Sequence, residues 1–319
     1  MRIRPGLFVA ALPLTAALVV SACASSPASS SAAGGGSTAA PASSTKITAI
    51  GAENEYADVI SQVGGKYVQA SSIMSNPNTD PHTFEASPAV AREISGAKLV
   101  VQNGVGYDDW ATTIENAAPG DGRMVINVQQ LLGLPNSTPN PHLWYKPTTM
   151  PAVANAIASD LGQIDPAHAS YYKANAASFV SSLTAWNQAI ATFKAAHPDI
   201  PVATTEPVAD YMLQAVGADN LTPWAFQADI MNGTDPSPQD VALQNSLFTQ
   251  HKVKVFLYNQ QVTDSLTESF IKLAQENGIP VVGVYETMPT PGYTYQSWML
   301  AEVNALNKAV TTKVSTEHL

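Results

Sequence analysis

Residues 165–197, DPAHASYYKANAASFVSSLTAWNQAIATFKAAH, decide how the chain is divided. Apolar side chains recur there at steps of three and four, which predicts a helix with one apolar stripe along its whole length. They are Tyr172, Ala176, Phe179, Leu183, Trp186, Ile190 and Phe193. Asp165 before Pro166 supplies an N-terminal cap, and His197 before Pro198 supplies a stop. At about 1.5 Å per residue this helix would span roughly 45 Å, enough to act as a rigid spine between two lobes.

The segments on either side of this helix alternate between strand and helix. Strands are predicted at 46–50, 67–71, 98–102, 124–128, 202–205, 253–258 and 281–285. Helices are predicted at 54–63, 88–95, 109–117, 151–161, 208–216, 238–249, 264–277 and 295–313. This alternation predicts an α/β fold with two lobes, residues 46–164 and 198–319, each a small, mostly parallel sheet flanked by helices. One long rigid helix is expected to join them.

The first 45 residues predict export and membrane anchoring. Arginines and an apolar run lead to Ser21-Ala22-Cys23, the pattern of a signal peptide, residues 1–22, followed by a lipidated cysteine. Cys23 is the only cysteine in the chain, so it has no internal disulfide partner. Residues 24–45 contain only Ala, Gly, Ser, Thr and Pro, which predicts a flexible linker over 23–45. We therefore expect an extracytoplasmic protein, held by its lipid at the outer face of the cytoplasmic membrane.

The charge balance argues against nucleic acid as a partner. With Arg2 and Arg4 removed from the 15 basic residues, 13 remain against 25 acidic ones, a net charge of about −12. A phosphate backbone would be repelled, and no basic patch interrupts the acidic excess. Beyond the signal peptide, no apolar run of the sequence is long enough to span a bilayer.

Two near-copies of one motif present histidines from stiff loops. They are Asp80-Pro81-His82 and Asn140-Pro141-His142, each with an aromatic residue two positions after the histidine. Proline fixes the backbone before each imidazole and holds the residue ahead of it extended. A single loop histidine is usually an ordinary surface residue. Two matched histidines, sixty residues apart, make a shared metal site as good an interpretation as two surface residues, because imidazole is a common metal ligand.

Carboxylates occupy the corresponding loops of the second half. Glu206 follows the strand predicted at 202–205, and Glu286 follows the strand at 281–285. Ligands of open α/β sheets gather beyond the carboxyl ends of strands, where both acids are expected. Each alone would usually be a cap or a solvated side chain. With two histidines they form a His2Glu2 set whose two negative charges balance a divalent cation.

The chain resembles the cluster A-I substrate-binding proteins of bacterial ATP-driven (ABC) importers for zinc and manganese. The resemblance covers nearly the whole segment after residue 45 and rests on a combination of motifs: 80–88 (DPHTFEASP), 97–106 (AKLVVQNGVG) with Trp110, 140–144 (NPHLW), Thr205-Glu206, 235–238 (DPSP) and 279–282 (IPVV). In that family, two lobes linked by a long helix hold the metal in their cleft. The resemblance implies His82 and His142 as the first two ligands. It implies Glu206 as the third, and Glu286, where the family usually has aspartate, as the fourth.

The identity of the ion stays open between manganese and zinc. Zinc-type relatives often carry a histidine-rich loop between the two histidine motifs, and residues 121–139 contain no histidine. Two carboxylates favour a harder ion such as manganese, especially if both oxygens of each bind. Zinc nevertheless outbinds manganese at most mixed nitrogen and oxygen sites. Manganese is therefore favoured only slightly as the cargo.

These features predict a monomeric binding protein, not an enzyme, that delivers its ion to an ABC permease and the associated ATPase. One alternative is an exported metal-dependent hydrolase, which would keep three protein ligands and an open position for water. Another is a binding protein for an organic solute, which would leave the four polar residues without a common purpose. Glu53 and Glu55, just beyond the first strand, are further candidates for acids that support the site.

Overall fold

A computed structural model describes residues 46–78, 80–289 and 291–319. The predicted signal peptide, the linker at 23–45 and Cys23 lie outside the described residues. Within the described part, every helix is too short or too polar to cross a membrane.

The first lobe is a four-stranded parallel sheet in the order β2-β1-β3-β4. Its strands are β1 (Ile47–Glu53), β2 (Val68–Met74), β3 (Leu99–Gln102) and β4 (Met124–Asn127). Its helices are α1 (Asn54–Gly64), α2 (Pro88–Gly96), α3 (Asp109–Ala117), α4 (Val128–Leu131) and α5 (Thr149–Ile164). Because all four strands are parallel, their carboxyl ends lie at one edge of the sheet, from which the loops toward the second lobe emerge.

The second lobe repeats this arrangement in the order β6-β5-β7-β8, again entirely parallel. Its strands are β5 (Pro201–Thr204), β6 (Asp219–Asn220), β7 (Val255–Asn259) and β8 (Val281–Val284). Its helices are α8 (Asp210–Val216), α9 (Trp224–Met231), α10 (Pro238–Thr249), α11 (Ser265–Glu276) and α12 (Tyr295–Thr312). The predicted α/β architecture with two parallel-sheet lobes is confirmed.

The single helix predicted over 165–197 is interrupted. A 3₁₀ turn (Pro166–His168) leads into α6 (Ala169–Ser182), and α7 (Thr184–Ala196) follows after one residue, Leu183. The Leu183 N–H reaches back only three residues, to the Val180 carbonyl at 3.3 Å. The hydroxyls of Ser182 and Thr184 each donate a hydrogen bond to the backbone carbonyl three residues earlier, at 2.6 Å. Hydroxyls that compete for carbonyls loosen the helical ladder locally, which explains the break.

One apolar core runs through both lobes and the connecting helices. It includes Val59 and Trp144 from the first lobe, Trp186 from α7, and Met212 and Val303 from the second lobe. The outer face of each sheet carries a smaller, separate cluster. Since one packed core is shared, the two lobes are held together by more than their connecting helices.

Candidate metal centre

His82 stands on a short turn that its own motif builds. Pro81 opens a 3₁₀ turn (Pro81–Thr83), and the Asp80 Oδ1 accepts a hydrogen bond from the His82 backbone N–H at 2.8 Å. The side chain of His82 is 22% exposed, so its imidazole lies at the rim of the buried site. The Asp80-Pro81 pair thus acts as the stiff support that the sequence predicted for this histidine.

His142 is fully buried, and Asn140 fixes which of its nitrogens is free. The Asn140 Oδ1 accepts hydrogen bonds from the His142 backbone N–H at 2.9 Å and lies 2.8 Å from Nδ1. The Asn140 Nδ2 donates to the Pro207 carbonyl of the second lobe at 2.7 Å, which fixes the orientation of the amide. The hydrogen of a neutral His142 therefore sits on Nδ1, and Nε2 carries a free lone pair.

Glu286 meets both histidines across the boundary between the lobes. Its Oε2 lies 3.1 Å from His82 Nε2 and 3.2 Å from His142 Nε2, and the ligand atoms of the three residues lie within 4.8 Å of one another. Among the described residues, this is the one group of three or more His, Cys, Asp and Glu side chains with such spacing. Because Nε2 of neutral His142 and Oε2 of ionised Glu286 are both acceptors, a cation or a proton is required between them.

Glu206 adjoins this group without belonging to it. It is 2% exposed, and its Oε1 accepts a hydrogen bond from Asn259 Nδ2 at 3.2 Å. Its Oε2 is buried and has no hydrogen-bond partner. Buried carboxylate oxygens in folded proteins nearly always have a partner, so this one is available to a ligand.

Two further polar residues hold the site, and the sequence analysis missed both. Asn259, the last residue of β7, donates from Nδ2 to Glu286 Oε1 at 2.7 Å as well as to Glu206. The Tyr107 hydroxyl donates to Glu286 Oε2 at 2.9 Å. Asn259 follows a strand at the same sheet edge as both glutamates, and that position was the signal available in the sequence. Tyr107 carries no comparable signal.

The charges of the site are coupled. Burial and the negative charge of Glu286 raise the pKa of Glu206. Burial acts to raise the pKa of Glu286, but the two histidines outweigh it and hold that pKa below its usual range. For His82, burial acts to lower the pKa, but the negative charge of Glu286 outweighs burial and the pKa is raised. For His142, burial is the larger effect and the pKa is lowered. These directions favour a proton on Glu206 and a proton on His82, whose Nε2 lies 3.1 Å from the ionised Glu286 Oε2.

Glu53 and Glu55 lie behind the candidate ligands as a buried acidic layer. Both are at most 1% exposed, and all four of their carboxylate oxygens lack hydrogen-bond partners. Burial raises the pKa of both acids. The negative charge of Asp108 raises the pKa of Glu53 further, and the negative charge of Glu286 raises that of Glu55 further. Neither belongs to the group with metal-ligand spacing. The raised pKa values favour the neutral form of both acids.

A cleft between the lobes opens onto the site. It has a volume of about 360 Å³ and exposes His82. The first lobe lines it with residues 105–107 and two prolines, and α9 lines it from the second lobe with Trp224 and Met231. A small solute thus reaches the rim of the site from solvent.

Two parallel α/β lobes with a polar cleft between them define the class of solute-binding proteins. The model of the family described as zinc-uptake complex component A, periplasmic, matches residues 52–309. The chain belongs to this family of metal-binding solute-binding proteins of ABC importers, and the resemblance stated from the sequence is confirmed.

Individual relatives are distant. The iron-binding protein YfeA of Yersinia pestis is 22% identical over 265 residues, which cover 79% of this chain and 82% of that protein. The solute-binding protein FpvC of Pseudomonas aeruginosa, solved with Mn²⁺, has a TM-score of 0.69 at 21% identity and covers 84% of this chain and all of that one. The periplasmic zinc-binding protein TroA of Treponema pallidum has a TM-score of 0.70 at 15% identity, with coverages of 85% and 100%. At such identities the two structures establish the fold alone.

Proposed function

We propose that the chain captures one divalent transition-metal ion, zinc or manganese, between its lobes through His82, His142, Glu206 and Glu286. The observation that carries this proposal is the approach of His142 Nε2 and Glu286 Oε2 to 3.2 Å, two acceptors that need a cation or a proton between them, a place that a metal ion would fill. The unpartnered Oε2 of Glu206 supplies the fourth donor. Two imidazoles and two carboxylates leave a bound divalent ion neutral overall.

The ion is cargo, and the protein hands it to an ABC permease and its ATPase. In this proposal the chain acts as a monomer at the outer face of the cytoplasmic membrane, anchored through a lipid on Cys23. It is not an enzyme, because a catalytic metal keeps a position open for water. In this proposal four protein donors would close the coordination shell.

Metal binding to the purified protein, stripped with a chelator, tests the proposal. We expect one equivalent of zinc or manganese to bind and to raise the melting temperature, since a ligand at 1,000 times its Kd stabilises the fold by about 4 kcal/mol. His142→Ala and Glu286→Gln should each weaken binding by more than about 100-fold, because loss of a ligand exceeds the 10–100-fold loss typical of residues that only orient ligands. Isothermal titration calorimetry measures both effects.

His251→Asn is the matched control. His251 is exposed at the end of the sheet opposite the site, and asparagine tolerates its left-handed backbone (φ +51°). This variant should bind metal like the parent. Equal affinity in the parent, His142→Ala and Glu286→Gln would contradict the site, and binding of an organic solute without metal would contradict the function.

A further inference from the structure

Asn259 is held so that its amide nitrogen faces the two glutamates. It is fully buried. Its backbone N–H donates to the Thr205 hydroxyl at 3.0 Å, and its Oδ1 accepts from the Gln261 backbone N–H at 3.0 Å. Because Oδ1 already accepts from a backbone donor, the orientation of the amide is fixed and Nδ2 is the group that points into the site.

That nitrogen uses its two hydrogens on the two carboxylates. It lies 2.7 Å from Glu286 Oε1 and 3.2 Å from Glu206 Oε1. The remaining oxygens point away from the amide: Glu286 Oε2 faces the two histidines and accepts from the Tyr107 hydroxyl, and Glu206 Oε2 has no partner. One oxygen of each glutamate is therefore held toward the amide, and the other is turned away from it.

We infer that Asn259 determines the metal preference of the site by limiting each glutamate to one donor oxygen. This inference rests on the proposed function. With Asn259 in place, an ion meets two imidazole nitrogens and two single carboxylate oxygens, a four-coordinate set that zinc adopts readily. Manganese favours more numerous oxygen donors in an octahedral shell, and the Oε1 atoms of both glutamates would supply the two donors that the four-coordinate set lacks.

The cost of bidentate binding comes from the amide itself. To coordinate through both oxygens, Glu206 or Glu286 would have to turn Oε1 toward the ion, which would stretch or break its hydrogen bond to the buried Asn259 Nδ2. Asparagine is also neutral, so it orients the carboxylates without replacing the charge that a cation supplies. A lysine or arginine at this position would neutralise the glutamates and compete with the cargo. Asn259 is thus a positioning residue that acts on the ion through both glutamates.

The test compares zinc and manganese affinities of the parent with those of Asn259→Ala and Asn259→Leu, measured by competition with a fluorescent chelator. Both variants free the two Oε1 atoms, and the leucine roughly keeps the side-chain volume. We expect the ratio of zinc to manganese affinity to fall by about tenfold in both, within the range typical of residues that orient metal ligands. A ratio that stays at the parental value in both variants would overturn the inference.

Thr205→Val is the matched control. It removes the hydroxyl that bonds the Asn259 backbone and leaves the amide side chain in place. Any loss of affinity in this variant should be equal for the two metals, because a general loosening of the loop does not change the number of available oxygens. A shift in the ratio as large as in Asn259→Ala would assign the effect to the loop and overturn the role of the amide.

X-ray absorption spectroscopy of zinc bound to the parent keeps the inference testable even if a variant fails to fold. Four donors, two nitrogens and two oxygens, are expected in the parent, and more than four in Asn259→Ala. A parental shell with both oxygens of either glutamate would overturn the inference while leaving metal capture intact. A parent that binds neither zinc nor manganese would instead reject the proposed function.

Discussion

At the scale of single residues, burial raises the pKa of several carboxyl groups. Glu302 on α12 is fully buried, accepts a hydrogen bond from Trp298 Nε1 at 3.0 Å, lies 3.2 Å from Tyr145 Oη, and leaves Oε2 without a partner. Burial raises its pKa from the model-compound value of 4.5 to about 8. The folded state therefore holds the Glu302 proton more tightly than the unfolded state does, and the free energy of unfolding falls as pH rises between these two values.

Glu302→Gln should remove this pH dependence. Glutamine is neutral at every pH and keeps an oxygen for Trp298, so the loss of about 1.4 kcal/mol per pH unit should disappear. Thermal melts in chelator should show the variant close to the parent at pH 5 and more stable than it at pH 9. Glu276→Gln, at an exposed position on α11, is the control and should follow the parental profile. Parallel profiles for the parent and Glu302→Gln would contradict the assignment.

At the scale of elements, one face of α1 binds the second lobe through a polar stripe. Asn54, Asp58 and Gln62 recur every four residues and therefore lie on one side of the helix. The Asn54 side chain exchanges two hydrogen bonds with the Met288 backbone, at 2.8 and 2.9 Å. Asp58 Oδ2 accepts from the Tyr295 N–H at 2.9 Å, and Gln62 exchanges hydrogen bonds with Gln296. The stripe thus holds the segment that begins directly after Glu286.

Asn54→Ala should loosen that segment. It leaves the buried N–H and C=O of Met288 without partners, which costs about 1–3 kcal/mol of stability. It should also weaken metal binding by roughly tenfold, because Glu286 is two residues away from the lost contact. Gln62→Ala, at the partly buried far end of the same stripe, is the control and should change metal affinity little. Calorimetric titration and chemical denaturation of both variants measure these effects, and equal affinities in the two would contradict the role of Asn54.

At the scale of the whole molecule, the shared core limits how far the lobes can separate. Buried contacts join them beyond the core: Tyr145 Oη donates to the Tyr285 carbonyl at 2.8 Å, and Tyr295 Oη donates to the Trp144 carbonyl at 2.6 Å. A wide hinge motion would break these contacts and expose part of the core, whereas movements of loops would not. Release of the ion is therefore expected through small shifts of loops such as the one carrying His82.

Small-angle scattering of the protein with and without metal tests this rigidity. We expect the radius of gyration to stay constant within error in the two states, because the lobes share one packed core. The stripped and loaded states of the parent serve as their own control, at matched concentration and ionic strength. A clear expansion of the stripped protein would show domain opening and contradict the prediction.

Much of the fold follows from local patterns that can be read directly in the sequence. The helices predicted at 109–117 and 238–249 are confirmed with the same bounds, because proline, capping residues and helical periodicity all act within a few residues. The two-residue strand β6 was missed, since so short a segment carries no periodicity. The break at Leu183 was missed because it depends on whether neighbouring hydroxyls turn toward the backbone or toward solvent.

The sequence by itself determined the two-lobe α/β fold, the pair of histidine motifs and the strand ends that carry Glu206 and Glu286, because each depends on residues close together in the chain. Only the tertiary structure decided which atoms meet. The pairing of His142 with Glu286 joins residues 144 positions apart, and the role of Tyr107 depends on the packing of one lobe against the other. The role of Asn259 depends on the alignment of strand ends within the second sheet. Side chains so far apart in sequence share no local pattern, so their contacts are set by the packing of the whole core.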